Sequence, residues 1–169
     1  MGGGENGMNN PTGNTASNAF DKPGRADAVL SLGMSRLMLP LVQRIVKDIL
    51  AARRDLAGLR PQLAELNRHR QELSWPDRWR RYHLQEELAF DELYLQQAIG
   101  ELENLGVALI DAATGQVGFP TLVNGRRAFF SWLEGEDGVC YWHFAGDSHR
   151  RRVPPSWHED SPSDQASAN

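Results

Sequence analysis

Residues 38–66 read MLPLVQRIVKDILAARRDLAGLRPQLAEL. Met38, Val42, Ile45, Ile49, Ala52, Leu56, Leu59, Leu63 and Leu66 recur at alternating spacings of four and three. That spacing is the a/d seam of a coiled coil, in which one stripe of a helix is apolar and the remainder is solvated. A stripe of this kind is read as core packed within its own molecule, not as a cofactor box. Upstream, Ser31 supplies an N-cap. Pro40 falls inside the pattern, where a proline removes a hydrogen bond and can kink the start. Gly58 and Pro61 interrupt the stripe further along, and a bend is expected there.

A second helix opens at Ser74-Trp75-Pro76-Asp77, with a capping serine, an early proline and an acid in the first turn. Leu84, Leu88, Asp91, Leu95, Ala98, Leu102 and Leu105 repeat the four-three spacing, and Gly106 stands as the C-cap. Two seams joined by a short link predict an antiparallel helical hairpin over 31–105. Phe90, Leu93 and Tyr94 lie off the second seam and need another partner. Either the sheet covers them, or a second copy of the chain does; they are the candidate self-association residues. The sheet's one apolar face could equally be taken by Val46 and Leu50 of the first helix.

After Gly106 the period becomes two. Val107–Ile110 reads as a strand, 111–115 as a turn, and Val117–Phe119 as an extended run into Pro120, which suits an edge strand or a strand end. Asn124-Gly125 is a strong hairpin signal, because both residues tolerate positive φ. It leads into Arg127–Leu133, a loop over 134–138, and a last strand Val139–Phe144. If Leu133 faces Val139, then Ala128, Phe130, Trp132, Cys140, Trp142 and Phe144 share the core face, with Phe129, Ser131, Tyr141 and His143 on the other. The predicted class is α+β: a hairpin, then a small four-stranded antiparallel sheet over 107–145, in one domain spanning 28–154. Gly-, Asn- and Ser-rich residues 1–27, and Pro-, Ser- and acid-rich residues 155–169, are expected to be disordered tails.

Ser31–Pro40, Gly106-Val107, Phe119-Pro120, Asn124-Gly125-Arg126, Trp132, Gly135-Glu136 and Tyr141-Trp142-His143, with Arg152 and Pro154 spaced behind, resemble the domain-of-unknown-function family numbered 2203. The resemblance spans roughly residues 30–154 and implies the architecture but no activity. The chain departs from the family pattern at several points. Gly118 stands where an acid precedes Phe-Pro, Ser131 where a cysteine is usual, Phe144 where an acid follows Trp-His, and Gly146 and Ser148 where an acid and a glycine follow further on. Those departures remove polar neighbours of His143 and count against an enzyme.

The remaining chemistry is sparse. Ser131, Tyr141 and His143 share a strand face, and with Arg152 they form the candidate ligand-binding set. A serine beside a histidine can begin a nucleophilic arrangement. Yet there is no Gly-x-Ser-x-Gly elbow and no acid placed to orient the ring. His143, Asp147 and His149 lie close in sequence, but Cys140 and His143 fall on opposite faces of one strand, so no metal site and no cofactor are expected. Arg78, Trp79, Arg80 and Arg81 at the hairpin tip are the candidate nucleic-acid contacts, since arginine with interleaved tryptophan can hold phosphates and stack bases. A formal charge of −4 over 169 residues disfavours that role. One cysteine excludes an internal disulfide and suits a reducing compartment. The N-terminal residues do not read as a secretory signal, and no apolar stretch is long enough to cross a bilayer, so a cytoplasmic protein without a membrane role is expected. The function expected is a non-enzymatic interaction or scaffold protein, docking or pairing through its hairpin. The alternatives are a small-ligand binder or enzyme using the Tyr141/His143 face, and an accessory protein that contacts nucleic acid.

Overall fold

A computed structural model describes residues 29–158. Helices α1 (Leu32–Arg68) and α2 (Trp75–Asn104) are followed by strands β1 (Ala108–Asp111), β2 (Gln116–Val123), β3 (Arg126–Trp132), β4 (Tyr141–Phe144) and β5 (Arg151–Arg152), then a 3-10 turn, Pro155–His158. The α+β class holds. The tail expected over 1–27 lies outside the described residues, as does all of the C-terminal one beyond His158.

Local chemistry sets the helix ends. Ser31 Oγ accepts from Met34 N at 3.1 Å and Ser74 Oγ from Asp77 N at 3.3 Å, each satisfying an otherwise orphaned first-turn donor. Gly106, at φ 75°, closes α2: its N–H reaches Glu103 O and that of Val107 reaches Leu102 O, the paired bonds of a Schellman cap. The interruptions expected at Pro40 and at Gly58/Pro61 do not break α1, which runs unbroken through both prolines. Both are exposed and off the seam. Each costs roughly 3 kcal/mol, whereas burying a single Val, Leu or Ile side chain returns roughly 1.5–3 kcal/mol. Val42, Ile45, Ile49 and Leu56 together outweigh them.

The seams meet as the spacing predicts, every position from Met38 to Leu66 and from Leu84 to Leu105 being buried or half-buried. Exposed Arg60–Glu92, Arg80–Gln62 and Arg81–Asn67 contacts bridge the two antiparallel helices.

The sheet is antiparallel in the order β1-β2-β3-β4-β5. Asn124 (φ 51°) and Gly125 (φ 73°) make the tight β2–β3 turn. Ala128↔Phe144, Phe130↔Trp142 and Ser131↔Tyr141 give the expected register and division of faces, except that β4 opens at Tyr141 and Cys140, expected on the core face, precedes the ladder and is exposed. Strand β2 continues past Pro120, because β1 has ended there. The Pro120 carbonyl on that open side accepts from Leu30 N at 2.8 Å, so no ladder donor is lost at the proline. Two features exceed the expectation. The sheet has five strands, β5 pairing Arg151 with Trp142 and Arg152 with Tyr141. Order also extends beyond 154: Trp157 packs on Trp142 (centroids 5.2 Å) and edge-on to Phe130 (6.2 Å).

Val117, Phe119, Phe130 and Trp132 of the sheet and Leu39, Val42, Val46 and Ile49 of α1 form one core. The sheet therefore takes the second apolar side of α1. Gly115, at φ 73°, marks a close approach: a Cβ there would sit 2.8 Å from Val46 Cγ1 and 3.0 Å from Leu50 Cδ1.

Candidate functional site

On the sheet face turned from α1, β3 presents Phe129 and Ser131, and β4 presents Tyr141 and His143. Arg152 sits opposite Tyr141 in the register and is exposed. The four candidate ligand-binding residues thus share one face, but Ser131 Oγ and His143 Nδ1 are engaged within the protein. Ser131 is fully buried and its Oγ lies 3.2 Å from Gln116 Nε2, which donates to it. The His143 ring is buried and packs on Phe129 at 5.6 Å between centroids. Its Nδ1 lies 3.0 Å from the Phe144 carbonyl, so Nδ1 carries the proton, and Nε2 is buried with no hydrogen-bond partner. No Ser131–His143 pair forms.

The polar centre of this face is a residue outside the sequence-derived set. Arg150 donates to Glu136 Oε2 at 2.7 Å, and its guanidinium lies 4.5 Å from the Tyr141 ring centroid. Glu136 in turn accepts from Leu133 N and, through its carbonyl, from Trp132 Nε1. This network holds the β3–β4 loop against β4. Nothing in the run Arg150-Arg151-Arg152 singles out its first member, because the partner Glu136 lies in another loop and only the fold brings the two together.

Asp147 is likewise structural. The His149 N–H, then the Arg151 guanidinium, hold its carboxyl below the usual range. Among the described residues, no group of three or more His, Cys, Asp or Glu is placed to hold a metal.

At the hairpin tip, Arg78 Nε donates to Leu73 O at 3.0 Å, Arg80 to Gln62 Oε1 at 3.1 Å and Arg81 to Asn67 Oδ1 at 2.6 Å. Arg80 and Arg81 tie α2 to α1, and Arg78 fastens the link between the helices. Trp79 stacks edge-on against His83 at 3.9 Å and, with Trp75, stays exposed.

The most distinctive surface is the outer side of α2. Trp75, Trp79, Tyr82, Phe90 and Leu93 recur at near-helical spacing on the side opposite the seam, and all are exposed. Phe90 is 69% exposed, Leu93 54% and Tyr94 42%. Tyr94 stands on the flank beside Asp48, whose negative charge pushes the phenol pKa up. A hydrogen bond to Glu86 does the same to Tyr82. The sheet covers none of the three candidate self-association residues.

No curated protein and no solved structure matches the chain. The model of the uncharacterized conserved protein family DUF2203 matches residues 29–154, and the chain belongs to that family.

Proposed function

We propose that this protein is a non-enzymatic interaction protein that pairs through the outer face of α2. One observation carries the reading: α2 is apolar on two opposite sides, and the fold uses only one. A row of exposed aromatic side chains on an otherwise charged helix is the usual mark of a contact surface. A second copy of the same chain is the simplest occupant, since symmetric pairing places the same patch on both subunits. The engaged states of Ser131, Arg150 and His143 Nδ1 weigh against a nucleophilic site. The tied tip arginines weigh against nucleic acid. The single cysteine supports a cytoplasmic setting.

The test is sedimentation velocity of the full chain up to high micromolar concentration. The wild type should run as a dimer. Phe90→Ser with Tyr94→Ser should run as a monomer while keeping the wild-type helix signal in circular dichroism. A wild-type monomer at that concentration, or a dimer indifferent to the two changes, would remove this reading. A second reading rests on the unpartnered His143 Nε2, which could accept a hydrogen bond from a small ligand. Absence of any imidazole shift in NMR titrations against small-molecule mixtures would count against it.

A further inference from the structure

The charge along α2 is divided. Its first turns carry Arg78, Arg80 and Arg81 beside Asp77. From Tyr82 to Asn104 it carries Glu86, Glu87, Asp91, Glu92, Glu101 and Glu103, with no lysine or arginine. Phe90 lies midway between the ends of the helix, Trp75 and Asn104. A parallel pairing of two outer faces would stack basic end on basic end and acidic on acidic. An antiparallel pairing about the middle of α2 overlays the Phe90, Leu93 and Tyr94 region on its copy and brings each basic end onto the partner's acidic end.

We propose that two copies associate through antiparallel α2 helices, with the two-fold axis passing beside Phe90. This rests on the reading of the outer face given above and names its geometry. With that axis, Arg80 stands near Glu101 of the partner subunit on one flank, where it would exchange its exposed bond to Gln62 for a charge pair. Arg78, whose Nε donates to Leu73 O, would turn its terminal nitrogens toward Glu103 of the partner subunit on the other. Helix periodicity assigns these flanks: Arg80 and Glu101 both lie on the Tyr94 side of the stripe, and Arg78 and Glu103 on the side facing the sheet. Such pairs set orientation more than affinity, because like charges brought together are penalised. Phe90, Leu93 and Tyr94, close to the axis, supply the affinity. A helix of 30 residues is about 45 Å long. Each sheet packs near the C-terminal end of its own α2, so the dimer would hold its two sheets at opposite ends of that rod, the geometry of a scaffold.

The test separates orientation from docking. In a Cys140→Ser background, Phe90→Cys should oxidise to a covalent dimer, because a residue beside the axis meets its own copy. Trp79→Cys should not link to itself, but should link to Glu101→Cys when the two are mixed. Arg80→Glu and Glu101→Arg should each weaken self-pairing, and their mixture should restore it. Phe90→Ser with Tyr94→Ser should weaken the dimer by about tenfold or more, as truncating aromatic anchors does. Efficient self-linking of Trp79→Cys, without mixed linking to Glu101→Cys, would overturn the antiparallel arrangement and leave the docking face standing. A dimer untouched by the two serine changes would overturn both. The mixing experiments keep the outcome decisive even if Phe90→Cys itself weakens association.

Discussion

The two long helices carry seams of the same spacing and meet different fates. Helix α1 buries nine side chains, including Leu39 and Val46 on the flank beside the seam, whereas α2 buries only Leu84, Ala98 and Leu102. The cause is the position of the sheet. It lies over the first half of α1, meets Val46 and Leu50 at Gly115, and reaches α2 only near its C-terminal end. Both helices have more than one apolar side, but one small sheet has only one apolar face to offer. An apolar pattern therefore counts the faces a helix wants to cover without naming what covers them.

The sharpest way to break this contrast is to cut an equal-looking residue from each helix. Ile49 is fully buried, and Ile49→Ala should cost about 2–5 kcal/mol by lost transfer energy and the cavity left behind. Phe90→Ala, compared at a concentration low enough to keep both proteins monomeric, should leave the denaturation midpoint of the fold almost in place. Similar shifts for the two would mean that α2 is buried on both sides. The contact between α1 and the sheet can be struck directly. Gly115→Ala would force a positive φ on a side chain and press its Cβ into Val46 and Leu50, an expected loss of about 1–3 kcal/mol in urea denaturation. Gly138→Ala, with open space around it, is the matched control and should cost far less.

Trp157 extends the contrast to the chain end. Trp157→Ala should lower stability by about 1–2 kcal/mol, less than a fully buried tryptophan would, because it is half-buried against Trp142 and Phe130. No change on thermal melting would restore the tail boundary expected at 155. Smaller again is the acid dependence of the β1–β2 turn. The Ala113 N–H, then the Thr114 hydroxyl, hold the Asp111 carboxyl below its ordinary value of 3.8. A folded-state pKa below the unfolded one gives stability that is present above pH 4 or so and lost as pH falls through the lowered value. Asp111→Asn should flatten that part of an acid-unfolding curve, and an unchanged slope would mean that the turn contributes nothing there. Exposed Arg54→Ala should fall within about 0.5 kcal/mol of wild type, the ordinary range for a surface change.

Much of the molecule was legible residue by residue. Ser31, Ser74 and Gly106 punctuate the helices, the four-three spacing sets both seams, and Asn124-Gly125 fixes the hairpin register that divides the sheet faces. Each of these signals acts over a few residues, through a cap bond, a positive φ or a helical repeat, so the order of residues suffices to determine it. Tertiary structure decided the rest. It carried α1 through Pro40 and Pro61, because the burial of Val42, Ile45 and Ile49 outweighs two lost hydrogen bonds. It recruited Arg151–Arg152 and Trp157 to the sheet, and occupied Ser131 with Gln116 and Arg150 with Glu136. It also gave the sheet to α1 and left Phe90, Leu93 and Tyr94 in solvent. Those outcomes depend on which distant surfaces compete for one apolar face, and local spacing along a chain does not encode that competition.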